Sequence, residues 1–195
     1  IMYGFRFYLR ILSTLCACRF DLSELDGLRD KGPLVIAANH PSLLDAVLII
    51  SRLPNVICVM KAGLMDNLLF GSAARLARYI RNDGVMQIVG QSRDGLQAGG
   101  QVLIFPEGTR GNKGEPAPFK AGLFHLAEAF PHVPLVPAWI DNVQRVMPKG
   151  EVVPVPILCT VTFGAPLTLD SGEDKRAFLD RARDAVLALK PAGGD

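Results

Sequence analysis

The sequence predicts one α/β domain, a largely parallel sheet flanked by helices, and two observations carry that prediction. Short apolar runs that read as buried strands alternate with stretches of helical periodicity along most of the chain. That alternation is the pattern of a layered fold in which helices cover a mainly parallel sheet. The length of 195 residues suits one well-packed domain and leaves too little for two.

Taken in order, the opening IMYGFRFYLRILSTLCACRF (1–20) is the most lipid-like part of the chain. Arg6 and Arg10 are four apart and share one helical face, while Tyr3, Phe5, Phe7, Tyr8, Leu9, Ile11, Leu12 and Leu15 cover most of the rest. Two arginines argue against a membrane span, which needs about 20 mostly apolar residues. An aromatic-rich helix with a narrow basic face suits the plane of a membrane interface. The competing reading is a buried first helix. The division expected is therefore an amphipathic interface helix over 1–20 and the main domain over 21–195.

PLVIAAN (33–39) reads as a buried strand and SLLDAVLIISRL (42–53) as the helix after it. NVICVM (55–60) is a second strand. DNLLFGSAARLARYI (66–80) has helical spacing and closes in a short extended piece before Asn82, Asp83 and Gly84. A weaker helix covers 87–97, and QVLIF (101–105) is a third strand. The loop PEGTRGNKGEPAP (106–118) leads to a helix, FKAGLFHLAEAF (119–130). Two more strands follow, PLVPAWI (134–140) and PILCTVTFG (156–164), and the charged amphipathic helix EDKRAFLDRARDAVLALK (173–190) comes last. No repeat, low-complexity tract or linker interrupts the series.

Composition narrows the function classes. A net charge of +2 removes any bulk electrostatic case for nucleic acid. Mean hydropathy of +0.26 is high for a fully soluble protein, so some apolar surface is expected to face something other than water. Cys16, Cys18, Cys58 and Cys159 form no CxxC spacing and sit among apolar neighbours, as buried free thiols of a reducing compartment do. No structural zinc is expected. The chain opens on Ile1 rather than methionine, which leaves room for a targeting or membrane segment upstream.

Two polar stretches, NHPSLLD (39–45) and PEGTR (106–110), directly follow strands read as buried. In open α/β sheets ligands gather at the carboxyl ends of strands, so the two belong together. On one continuous helix, residues five apart point about 140° from each other. Pro41 fits the first turn of a helix, which places His40 just before it, free to fold back towards Asp45. A carboxylate on one imidazole nitrogen fixes the tautomer and leaves the other nitrogen to take a proton from a hydroxyl, including a substrate hydroxyl. Spacing alone supports equally well a helix cap in which Asp45 merely offsets the dipole. In the second stretch, Gly108 suits a tight or left-handed turn, and Arg110 offers a planar fork for a carboxylate or phosphate. Thr109 and the backbone amides near Gly108 can add donors, and Glu107 can hold the arginine or bond a sugar-alcohol hydroxyl. A loop salt-bridged to itself is the alternative.

Jointly the two stretches are far more specific. NHPSLLD resembles the HxxxxD motif, and FPEGTR the phosphate-associated motif, of the glycerolipid acyltransferases typified by 1-acylglycerol-3-phosphate acyltransferases, about 60 residues apart as is usual there. FKAG (119–122) and VPLVPA (133–138) resemble later blocks of that family, so the likeness runs over about 33–164. One departure stands out: the family's Gly-x-x-x-x-Arg block corresponds here to ARYIRNDG, without the leading glycine. Arg81, or alternatively Arg78, would supply its charge, and Lys61 lies where family members often keep a lysine.

The resemblance implies a glycerol-3-phosphate acyltransferase-like fold, with 21–195 as the acyltransferase domain. It implies acyl transfer from a thioester co-substrate, acyl-CoA or acyl carrier protein, to the hydroxyl of lysophosphatidate. His40 would be the base, Asp45 its orienting partner, and Glu107, Gly108, Thr109, Arg110 and Arg81 the acceptor-binding set. No bound cofactor and no metal are expected. The partners implied are a membrane lipid acceptor and, as a candidate, an acyl carrier protein. The implied location is peripheral or monotopic on the cytoplasmic face of a bacterial inner membrane. The same chemistry on another lysolipid, a hydrolytic variant and a non-catalytic lipid-binding protein are the rival readings.

Outside these motifs the signals are weak. His125, His132 and Glu128 lack metal-ligand spacing, and His125 between Phe124 and Leu126 reads as structural. GLQAGG (95–100) reads as a turn. Lys175, Arg176, Arg181 and Arg183 are balanced by Glu173, Asp174, Asp180 and Asp184 and read as a solvated face.

Overall fold

The computed structural model describes residues 2–15, 18–42, 44–61, 79–82, 84–109, 115–146 and 155–192, with the backbone alone at Lys61 and Arg81. The helices are α1 (Met2–Leu15), α2 (Ser23–Asp26), α3 (Leu44–Arg52), α4 (Val85–Gln97), α5 (Gly122–Ala129), α6 (Val143–Val146) and α7 (Lys175–Leu187). The strands are β1 (Arg19–Asp21), β2 (Leu34–Ala38), β3 (Val56–Lys61), β4 (Ile80–Asn82), β5 (Gln101–Ile104), β6 (Leu135–Asp141) and β7 (Leu158–Phe163).

The strands form one sheet in the order β1-β7-β6-β2-β5-β3-β4. From β6 to β4 every neighbouring pair is parallel, whereas β7 runs antiparallel to β6 and β1 parallel to β7. The largely parallel sheet read from the sequence is therefore present, with a reversed pair at one side.

Side chains alternate between the two faces of a strand, and β2 shows what this does. Leu34, Ile36 and Ala38 enter one core layer with Leu9 and Leu12 of α1 and Leu48 and Ile49 of α3. Val35 and Ala37 enter the other, with Ile88 of α4, Leu126 of α5 and Phe178 of α7. Because both faces are covered, β2 is wholly apolar and wholly buried.

Differences from the sequence reading have local causes. β1, α2 and α6 are three or four residues long, too short to show a period. Helix α5 begins at Gly122, not at 119; before it the Lys120 amide donates to the Pro106 carbonyl at 2.9 Å, tying that stretch to the site loop. Ile80–Asn82 is the short extended piece expected there, while the helix read over 66–80 falls mostly outside the described residues.

Helix α1 packs chiefly on α3. Leu9 and Leu12 are buried, and Arg6 turns inward, its Nε donating to the Ser51 carbonyl at 2.7 Å. Its outer side leaves Tyr3, Phe7 and Leu15 75%, 65% and 78% exposed. No helix among the described residues is long and apolar enough to cross a membrane. Cys58 and Cys159 are buried free thiols, and burial pushes both up to about 12, so both stay protonated; Cys18 is buried too, its Sγ donating to the Val155 carbonyl at 3.5 Å. Cys16 lies outside the described residues.

Candidate active site at the β2–β5 edge

Strands β2 and β5 are parallel neighbours, yet the helices that follow them pack on opposite faces, α3 in one core layer and α5 in the other. A crevice opens where chains diverge in this way, at the carboxyl ends of the two strands. The register pairs Ala37 with Ile104. Carried three residues further, it brings His40 level with Glu107.

His40 Nδ1 lies 2.8 Å from Asp45 Oδ2. The same oxygen accepts from the Ser42 amide at 2.7 Å, while Ser42 Oγ accepts from the Leu44 amide at 3.3 Å. Asp45 thus closes its half of a capping box on the Ser42 amide at the start of α3, while the Ser42 hydroxyl caps the Leu44 amide instead of that of Asp45. The two readings of Asp45 left open by the sequence, cap and partner of His40, are one arrangement: the cap aims the carboxylate and the histidine uses it. Asp45 is fully buried, and burial pushes its carboxyl up to about 6 against the opposing pull of His40 and the Ser42 amide. With an ionised Asp45 on Nδ1–H, Nε2 on the far side of the ring is the unprotonated nitrogen. Among the described residues nothing bonds it.

The imidazole is held on its face as well. Phe105, the residue after β5, stacks on it with centroids 4.3 Å apart and planes 21° off parallel. The preceding residue, Asn39, is buried and clamps the turn to β6: its Nδ2 donates to the Ile140 carbonyl at 3.0 Å, and its Oδ1 accepts from the Ile140 amide at 2.7 Å.

Glu107 is only 3% exposed. One carboxylate oxygen accepts from the His40 amide and the other from the Ala117 amide, each at 3.0 Å. The acid thus ties the His40 turn to the neck of its own loop. Gly108 has φ +70°, the left-handed region expected of its turn, and its N–H is used by the Phe105 carbonyl at 2.9 Å. A Cβ at Gly108 would lie 2.6 Å from the Lys120 ammonium nitrogen, so this lysine lies across the turn beside the exposed Thr109.

Arg110 and Arg78 lie outside the described residues, as does the side chain of Arg81, whose backbone pairs with Met60 on the edge strand β4. His125 sits at the surface, 3.2 Å from Glu128 and edge-on to Phe124. Sequence reasoning gave no role to Asn39, Phe105 or Lys120. Asn39 and Phe105 lie inside the two quoted motifs and Lys120 inside the FKAG block, and that placement was their signal.

Comparison with known proteins fits this geometry. A family model described as Acyltransferase matches residues 19–141, more than half of the chain and all of the β2–β5 site. The chain belongs to the acyltransferase family. Among relatives of this acyltransferase chain is the 1-acyl-sn-glycerol-3-phosphate acyltransferase of Helicobacter pylori, 33% identical over 126 residues, which cover 59% of this chain and 53% of that protein. The human 1-acyl-sn-glycerol-3-phosphate acyltransferase alpha is 32% identical over 168 residues, or 80% of this chain and 58% of that one. The chain spans about half the length of the curated relatives it matches. The crystal structure of the 1-acyl-sn-glycerophosphate (LPA) acyltransferase PlsC from Thermotoga maritima shares the fold, with a TM-score of 0.73 at 18% identity, covering 98% of this chain and 81% of that one.

Proposed function

We propose that this chain transfers a fatty acyl group from a thioester, acyl-CoA or acyl carrier protein, to the hydroxyl of lysophosphatidate, giving phosphatidate. The observation that carries the reading is the 2.8 Å contact of His40 Nδ1 with a buried Asp45, which leaves Nε2 as an oriented base. Nε2 takes the acceptor hydroxyl proton as that oxygen attacks the thioester carbonyl. The tetrahedral intermediate then expels the thiolate, which leaves with the proton from Nε2. Arg110, with Thr109 and Lys120 beside the Gly108 turn, holds the acceptor phosphate and so gains rate by positioning. Arg81 contributes further positive charge. The names of the relatives favour lysophosphatidate over other lysolipids as acceptor.

The outer face of α1, with Tyr3, Phe7 and Leu15 exposed, rests in the membrane interface where acceptor and product reside. A peripheral position on the cytoplasmic side, where the thioester donors are made, belongs to the same reading.

The test is thioester-dependent acylation of lysophosphatidate in mixed micelles, wild type beside His40→Ala, with both donor types. Phosphatidate from the wild type alone supports the reading. A folded wild type that makes none with either donor refutes lysophosphatidate as the acceptor.

A further inference from the structure

Arg183 belongs to a run of balanced charges on α7 that the sequence presents as a solvated face. Its side chain is instead three-quarters covered and directed at the loop of the site. Its Nε donates to the Pro116 carbonyl at 2.8 Å, and its Nη2 lies 3.3 Å from Glu115 Oε2. That carbonyl and the Ala117 N–H belong to one peptide group, and the N–H donates to Glu107. The other oxygen of Glu107 accepts from the His40 amide. An unbroken hydrogen-bonded line therefore runs from α7 through the 116–117 peptide and Glu107 to the backbone of His40.

We propose that Arg183 is a positioning residue for acceptor binding, acting through the 116–117 peptide and Glu107 on the neck of the 107–117 loop and on His40. This rests on the acyltransferase reading above. A guanidinium on the carbonyl end of a peptide polarises it and makes its N–H a better donor to the carboxylate beyond. Past the end of β5, Glu107 holds the Ala117 N–H and Arg183 holds the carbonyl of the same peptide, so both sides of that peptide are fixed where the chain comes back beside Glu107. Arg183 lies beyond residue 141, where the match to the family ends, so tertiary folding and not a motif brings it to the site.

The experiment compares the full chain as wild type, Arg183→Ala and Arg183→Lys by hydrogen exchange and by steady-state kinetics. In Arg183→Ala, exchange at Ala117 and His40 should accelerate while strand β6 is unchanged. KM for lysophosphatidate should rise about threefold to tenfold, the scale of one lost hydrogen bond, with donor KM within about twofold. Arg183→Lys retains a donor for Pro116 and should recover most of the loss. Unchanged exchange at Ala117 and His40 overturns the proposal. So does acceleration spread over β6, which marks a merely structural role, or a donor KM that rises as far as the acceptor KM. If the wild type acylates no lysophosphatidate, that acceptor assignment has failed on its own account, and the exchange comparison still decides the link from Arg183 to His40.

Discussion

Replacing Glu107 by glutamine separates a residue that holds the base from one that holds the substrate. The two side chains are nearly the same size, but glutamine has one acceptor oxygen where glutamate has two. Both oxygens of Glu107 are in use, by the His40 and Ala117 amides, in a place only 3% exposed. Whichever way the new amide turns, one backbone N–H meets an NH2 group and is left buried without an acceptor, and the surviving bond loses its charge. One stranded donor and one weakened bond together cost about 2–4 kcal/mol.

Part of that cost appears as stability, a melting temperature lower by roughly 5–10 °C for a chain of this size. Part appears as displacement of the His40 turn, and about 1 Å of misplacement at a reacting group can cost on the order of 100-fold in rate. Steady-state acylation should therefore show kcat down by about 10- to 100-fold as the His40 turn shifts, with acceptor KM raised about threefold to tenfold through the loosened loop neck. The reasoning fails if kcat is kept while acceptor KM climbs tenfold or more. That result would put the carboxylate on the acceptor hydroxyl, the role its motif suggests when read alone.

The remaining predictions follow from Asp45, Gly108 and α1. Since burial pushes Asp45 to about 6, kcat/KM should fall about tenfold per pH unit below pH 6 and level off above it, because a protonated Asp45 donates to Nδ1 and leaves the proton on Nε2; a flat profile down to pH 4.5 contradicts this. The folded value lies above the ordinary 3.8, so Asp45 contributes most stability below about pH 4 and loses it as pH rises through 6, on the order of 3 kcal/mol in all. Asp45→Asn should thus lose activity without losing stability at pH 7, and denaturant titrations at pH 5 and 7 check the sign. Gly108→Ala must hold φ near +70° and push Lys120 off the turn, costing about 1–2 kcal/mol and raising acceptor KM; a variant with wild-type melting and KM would remove Lys120 from the turn. Phe7→Glu combined with Leu15→Glu changes only exposed positions of α1, whereas deleting the helix would strip Leu9 and Leu12 from the core. The double variant should bind anionic vesicles about tenfold less well and turn over a short soluble acceptor normally; unchanged vesicle binding returns that face to water.

Much of the fold was legible because the strands that build it are buried on both faces. LVIAA, QVLI and LVPAWI stand out as apolar runs for that reason, and the first and last end directly at Asn39 and Asp141. Strand order was not legible. Nothing local in QVLI says that it inserts between β2 and β3, and this insertion makes the crevice in which His40 and Glu107 meet. The reversed direction of β7 has the same status, since a short apolar run reads alike in either direction. At the site, the pairing of His40 with Asp45 could be read from spacing only as a possibility, because the same six residues satisfy a helix cap. The role of Glu107 was hidden because its partners are backbone amides, which every sequence supplies everywhere. Arg183 was misread for a related reason: charge balance along a helix says nothing of which charge another segment covers.

The geometry around Asp45 explains why cap and catalytic pair share one atom. Oδ2 accepts from both His40 and Ser42, whereas Oδ1, equally buried, has no hydrogen-bond partner among the described residues. A buried oxygen without a donor costs about 1–3 kcal/mol, and a stability-optimised fold would add one or place an uncharged residue there. Were Oδ1 also satisfied, the carboxylate would be held further below its present value and would attract the imidazole proton less. Leaving Oδ1 bare concentrates the acid on the single direction that leads to Nδ1, and the Ser42 amide keeps that direction fixed. The capping box thus serves the chemistry: it anchors the carboxylate through the oxygen the histidine uses, at a helix start whose dipole favours negative charge. Asn39, Phe105 and Glu107 then fix the imidazole from the strand, the ring face and the backbone in turn. Every one of these contacts lies at the carboxyl ends of β2, β5 and β6, which is why two short motifs far apart in sequence make one base.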